Sequence, residues 1–174
     1  MTLRSIAMVM AALVTVPDLV WADADPCGPV LNVITRMNAA PRLQQHGTVT
    51  HDGKSYSSDL QAFGDKEYAR KGAGSWRSGP RQLVPLVVDG KAAVFDCRRV
   101  GSEDWGGIAT TVYTYKRRMP LRHIVRDVRL WVADGTGLAV HSRIAIHEGG
   151  TIGGAEFTQS YDPDATPPEG APTP

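Results

Sequence analysis

The sequence predicts an α+β domain: a curved antiparallel sheet, an incomplete barrel, with helices packed on its concave face. Three observations predict it. Apolar residues recur at helical spacing around residue 30, in Val30, Leu31, Ile34 and Met37. From residue 51 onward, turn signals alternate with short segments in which apolar and polar residues take turns. A meander of such strands, apolar on one face, needs something to cover that face, and helices are the available cover.

Residues 1–24 read as an export signal. Met1–Arg4 give a short positive start, Ile6–Val16 run apolar but for Thr15, and Ala22-Asp23-Ala24 supplies a cleavage site before Asp25. Cleavage after Ala22 also fits, because Val20-Trp21-Ala22 ends in a small residue. The apolar run is about a dozen residues, short of the roughly 20 that span a bilayer. A buried N-terminal helix is the competing reading. Asp25-Pro26 before Cys27 is a poor fit to a lipid-attachment site, so Cys27 is expected to carry no lipid. No transmembrane segment is expected later in the chain. The mature protein is expected to be soluble, in the periplasm or secreted.

A single domain is expected over residues 25–162. Asp25 reads as an N-cap with Pro26 in the first turn, and the helix should run from Pro26 to Asn38, ending before Pro41. His51-Asp52-Gly53 and Phe63-Gly64-Asp65 are hairpin turns. Between them Tyr56, Leu60 and Ala62 alternate with Ser57, Asp59 and Gln61, a half-buried strand. Lys66–Lys71 is a short strand and Gly72–Ser75 a loop. Over 81–95 the apolar residues could line a short helix or two turns, although Pro85 and Gly90 interrupt them. Phe95–Glu103 reads as extended. Trp105-Gly106-Gly107 turns into a strand over Ile108–Lys116, rich in Thr, Val and Tyr. Ile124–Val132, the turn Asp134–Gly137 and Leu138–His147 form the next hairpin, with Leu138, Val140, Ile144 and Ile146 on one face and His141, Arg143 and His147 on the other. Gly149-Gly150 turns again, and Ala155, Phe157 and Tyr161 alternate in a last strand. From 163 to 174 the prolines predict a disordered tail.

The chain has 174 residues, and 42% hydrophobic with 21% charged residues is an ordinary globular composition. The formal net charge is +1, so there is no basic field to drive nucleic-acid binding. Cys27 and Cys97 are the only cysteines. In an oxidising compartment a disulfide is the default for such a pair. Two free thiols or a zinc site are the alternatives, but no C-x-x-C is present and zinc would need further ligands at short spacing. His46 and His51 have a tolerable spacing, yet an offset of five on a strand points them to opposite faces. No metal and no cofactor is expected.

Catalytic patterns are missing. There is no G-x-S-x-G, and Gly72–Gly79 fits neither a dinucleotide fingerprint nor a P-loop. Asp134-Gly135-Thr136-Gly137 reads as a turn, and Glu103 and Asp104 beside a turn read as solvated. No catalytic residue is expected, and the chain is read as a non-enzyme. Two features stay open. Lys116-Arg117-Arg118, with Arg122, Arg126 and Arg129 nearby, could bind an anionic lipid or a partner, or simply form a solvated face. His141 and His147 share a strand face and could form a weak metal or pH-responsive site, or simply be exposed.

Several segments are similar to the periplasmic lipoprotein-carrier, or LolA-like, superfamily. Asp104-Trp105-Gly106-Gly107-Ile108-Ala109-Thr110-Thr111-Val112-Tyr113 resembles one of its strand pairs, and Leu130–Leu138 resembles its hairpin with a tryptophan before the turn. Gly64–Tyr68, Ser75-Trp76-Arg77 and the closing strand Phe157–Tyr161 also fit. Ala139 stands where the pattern has a proline. The resemblance implies an incomplete antiparallel barrel with a helical plug over an apolar concavity that holds acyl chains or lipoproteins, and it brings no catalytic residues. The expected ligand-lining residues are Tyr56, Leu60, Val112, Val128, Leu130, Val140, Ile144 and Phe157, with a lipid or lipoprotein as partner. The alternative is an envelope interaction module with a filled core and no small ligand.

Overall fold

A computed structural model describes residues 25–120, 124–148 and 151–171. The expected export signal and the Gly149-Gly150 turn lie outside the described residues. One helix, α1 (Gly28–Ala39), is followed by eleven strands. Nine of them form one antiparallel sheet. In chain order they are β1 (Arg42–His51), β2 (Lys54–Phe63), β3 (Lys66–Lys71), β4 (Arg77–Pro80), β7 (Val94–Trp105), β8 (Ile108–Arg118), β9 (Val125–Ala133), β10 (Ala139–Glu148) and β11 (Thr151–Ser160). Their spatial order is β4-β3-β2-β1-β11-β10-β9-β8-β7. Two meanders are thus joined where the last strand pairs with the first, Val49 opposite Ala155.

This architecture corrects the expected fold class. The protein is mostly β rather than α+β, with a single short helix among the described residues, and the sheet does not close into a barrel. The segment 81–95, expected to form a short helix or two turns, holds no helix and instead contains a small hairpin of β5 (Val87–Val88) and β6 (Lys91–Ala92). Asp89 and Gly90 both have positive φ, 50° and 68°. That is the geometry of a two-residue hairpin turn, for which Asp-Gly is a preferred sequence. The same chemistry makes the β1–β2 turn, where Asp52 and Gly53 sit at 49° and 69°. Of the apolar residues there, Leu83 and Val87 are more than half exposed, while Val94 is buried at the start of β7.

The helix also starts later than expected. Cys27 occupies the N-cap position, and Asp25 lies outside it, accepting a hydrogen bond from the Cys27 N–H at 3.0 Å. Cys27 is joined to Cys97 of β7 by a disulfide. The other end is capped by an arginine from elsewhere: Arg81 donates to the carbonyls of Met37 and Ala40 at 2.8 and 2.6 Å, satisfying acceptors that the helix leaves open. Asn38 exchanges two hydrogen bonds with the Val84 backbone. Arg36 donates to the Thr136 carbonyl in the β9–β10 turn. These ties set α1 across one half of the sheet. Val30, Val33 and Ile34 pack there against Val94, Cys97, Tyr115, Val128, Leu130, Val132 and Ala139, which come from β7 to β10.

The open sheet has two edges. β4 is four residues long and ends in Pro80. β7 is twelve residues long, but its register with β8 shifts twice and Asp96 within it has φ of 53°.

Candidate functional site

Strand register sorts the inner face into transverse rows. One row runs Tyr56, Val49, Ala155, Ile144, Val128 and Tyr115, each paired with the next. The row below runs Ser58, Gly47, Phe157, Ser142, Leu130 and Tyr113. A third holds Leu60, Gln45 and Gln159. Alternation along each strand puts the intervening residues on the other face. Because α1 lies over the β7–β10 side, the rows bend around a cavity of about 900 Å³ lined by Tyr56, Leu60, Val128, Leu130, Ile144 and Phe157, with Ile34 and Met37 of α1 above them.

Two details shape its floor. A side chain at Gly47 would collide with the Glu156 carbonyl and the Phe157 ring, so only glycine lets Phe157 lie across β1. Gln159 donates from Nε2 to the Ser142 hydroxyl at 2.9 Å, while its carbonyl oxygen is buried with no partner. The far end of the cavity is therefore lined by the polar Gln45, Ser142 and Gln159 among apolar neighbours.

Six of the eight residues expected to line the concavity do line it: Tyr56, Leu60, Val128, Leu130, Ile144 and Phe157. Val112 and Val140 do not. Val112 is fully buried on the opposite face, in a row that continues through Trp131, His141, Thr158, His46 and Asp59. The inward residues of β8 are Tyr113 and Tyr115, partners of Leu130 and Val128. Val140 falls in a register shift: Ala139 pairs with Val132, yet His141 pairs with Trp131. The extra residue reverses the alternation, so Ala139 takes the inner position at the start of β10 and Ser142 and Ile144 take it later. Period-two reading assigns the wrong face on one side of such a bulge. Tyr115, Arg117 and Arg126 also line the cavity and were not among the expected residues.

The outer face holds a separate polar and aromatic cluster. Trp105 stacks on His141 with ring centroids 3.6 Å apart, and Trp131 meets the same imidazole edge-on at 4.7 Å. His141 Nε2 and Arg143 both hydrogen-bond Glu156 Oε1, at 3.0 and 2.9 Å. Glu103 accepts from the Trp131 indole at 2.7 Å and from Arg129. His141 is 1% exposed, so the expectation of a solvated histidine is corrected: the two tryptophans bury it. Burial pulls its pKa below the usual histidine value, against the opposing pull of Glu156. The Arg143 hydrogen bond holds Glu156 below the usual carboxylate range. Glu103 and Asp104 are exposed, as expected, and also hydrogen-bonded: Asp104 accepts from the Gly107 N–H at 2.8 Å. The side chain of His147 lies outside the described residues. Among the described residues no group of three or more His, Cys, Asp or Glu could hold a metal ion, and no helix is long and apolar enough to cross a membrane.

No family model matches the chain, and no curated protein does. Solved structures do. Lipoprotein LppX of Mycobacterium tuberculosis is 17% identical, with a TM-score of 0.51 over 83% of this chain and 99% of that one. LprF of Mycobacterium bovis is 13% identical, with a TM-score of 0.52 over 83% of this chain and 96% of that one. At such identities the likeness is one of fold. The nine-stranded open sheet with its tethered helix is thus a fold shared with LppX and LprF, over nearly the whole of both comparison proteins.

Proposed function

We propose that the protein is an exported, non-enzymatic binding protein of the cell envelope that holds an apolar or lipidated ligand against the inner face of its sheet. The observation that carries this reading is the cavity. Protein interiors normally pack to the density of organic crystals, with few voids larger than a water molecule. A space of about 900 Å³ walled mainly by Val, Leu, Ile and Phe side chains, with Gln, Ser, His and Arg side chains among them, falls in the range of ligand sites. The Cys27–Cys97 disulfide fits an oxidising compartment, and a solved structure of similar fold belongs to a lipoprotein.

The test is direct. Delipidated protein is titrated with a fluorescent fatty-acid analogue, and protein purified from its own envelope is weighed by native mass spectrometry. Saturable binding of one probe per chain, with a co-purified mass that the probe displaces, is the expected result. No saturable binding, together with a native mass equal to the bare chain, would remove the reading and leave the interaction module with no small ligand.

A further inference from the structure

The rim of the cavity is chemically unlike its wall. On the inner face, one step beyond the row of Tyr56, Ile144 and Val128, register brings four basic residues to one level. Lys54 pairs with His51, and Arg117 pairs with Arg126. The two pairs are level with each other because Thr50 pairs with Gly154, Gly153 with Ile146, and Ala145 with Asp127. His51, Arg117 and Arg126 all line the cavity. Among the described residues that line it, none is Asp or Glu.

We propose that this basic rim is a headgroup site, and that the ligand of the cavity is an anionic amphiphile whose carboxylate or phosphate meets Arg117 and Arg126 while its chain lies along the apolar rows toward Gln45 and Gln159. The inference rests on the carrier reading and deepens it by naming the ligand's chemical class. Arg117 is half-buried, and its Nη2 points at the Met119 thioether at 3.5 Å, a weak acceptor for a guanidinium. Desolvation pulls its pKa below the ordinary arginine value; Tyr115 opposes this, and the like charge of Arg126 adds to it. Arginine nonetheless stays cationic. An anion that reaches the two neighbouring guanidinium groups would make charge-assisted, bidentate hydrogen bonds with them. His51 to Gln45 is six residues of strand, about 20 Å at ~3.4 Å per residue, so the wall below the rim has room for an extended chain.

Calorimetry on the delipidated mature protein separates the parts of this proposal. The probes are hexadecanoate, hexadecyl phosphate, hexadecanol and inorganic phosphate. The two anionic amphiphiles should bind more tightly than hexadecanol by about tenfold or more, with an affinity that falls as salt rises. Inorganic phosphate alone should bind far more weakly than hexadecyl phosphate. Arg117→Gln combined with Arg126→Gln should bring both anions down to the level of hexadecanol while leaving hexadecanol unchanged, which also shows that the variant is folded. If that pair does not fold, Lys54→Glu at the exposed end of β2 serves instead and should weaken the anions alone. Hexadecanol binding as tightly as the anions would overturn the headgroup site and leave the carrier reading standing. Inorganic phosphate binding as tightly as hexadecyl phosphate would overturn it in favour of a small-anion site. Binding of none of the four would remove both.

Discussion

The inner face of the sheet has two halves made to the same pattern but finished differently. Under α1, Leu130, Val128 and Tyr115 border the cavity but are 3–5% exposed and pack as core. Beyond it, Tyr56, Leu60 and Phe157, with Ile144 at the margin against the core, have the same apolar alternation and the same register, yet are only half-buried around a cavity. The difference is one of coverage. A helix of 12 residues is about 18 Å long and ~10 Å across. Nine strands about 4.8 Å apart span roughly 38 Å. One such helix cannot cover the sheet, so half of an ordinary amphipathic meander remains available to a ligand. The lesson is that apolar alternation marks a face, and only the inventory of covering elements tells core from site.

Substitutions can break that comparison. The largest effect is expected from Leu130→Arg. It places a charge in the packed contact between α1 and β9, where Leu130 is 3% exposed even though it borders the cavity, and should cost more than about 4 kcal/mol, enough to unfold the domain in a urea melt. If Leu130→Arg folds normally, the covered half is not core. Next comes Cys97→Ser. Loss of a cross-link over 70 residues should lower stability by about 4 kcal/mol in the loop-closure account. Chemical unfolding of the variant with and without reductant measures it, and equal stability of variant and wild type would deny the disulfide its anchoring role.

Ile144→Arg tests the uncovered half. It lies one row below the basic rim, so the guanidinium can reach water there, and the stability loss should stay below about 2 kcal/mol. Fatty-acid analogue binding should fall by tenfold or more, since the added charge occupies the chain's path. Unfolding comparable to that of Leu130→Arg would erase the distinction between the halves. The smallest effect concerns the outer face, which is expected to be indifferent to ligand. The folded pKa of His141 is depressed, so the unfolded chain takes up the proton first as pH falls. Its contribution is therefore present above the unfolded value of about 6.5 and is lost as pH drops through the lower folded value. Melting curves from pH 7.5 to 5 should fall more for wild type than for His141→Gln, with probe binding at pH 7.5 equal in both.

Much of the architecture was legible because turns and strands announce themselves locally. Asp52-Gly53, Gly64-Asp65 and Gly106-Gly107 mark hairpins through their backbone requirements, and the structure turns there. The same rule should have exposed Asp89-Gly90. There, scattered apolar residues leave a short helix and a pair of turns both open, although Pro85 and Gly90 argue against the helix. The cavity wall was legible where alternation is unbroken, as at Tyr56 and Leu60 or at Val128 and Leu130. It failed at Val140, because a bulge is a property of two paired strands and leaves no mark in one. It failed at Val112 because β8 carries apolar or aromatic residues on both faces, with Trp105 and Trp131 covering one of them. The basic residues at 116–118 were noticed, but a run of consecutive charges straddles both faces of a strand. Only the pairing of Arg117 with Arg126 shows which of them look inward.

An unclosed sheet also has to stay unclosed. Free backbone donors and acceptors at β4 and β7 are templates for another chain's strand, and a lipid-binding face beside them would make sticking worse. The two edges meet this hazard differently. β4 offers four residues and a terminal proline that has no N–H to give. β7 is long, but its two register shifts and the kink at Asp96 spoil the even ladder a docking strand would need, and exposed Arg98, Arg99, Glu103 and Asp104 interleave charge along it. The irregularities of β7 thus serve as a guard on an edge too long to be protected by shortness alone.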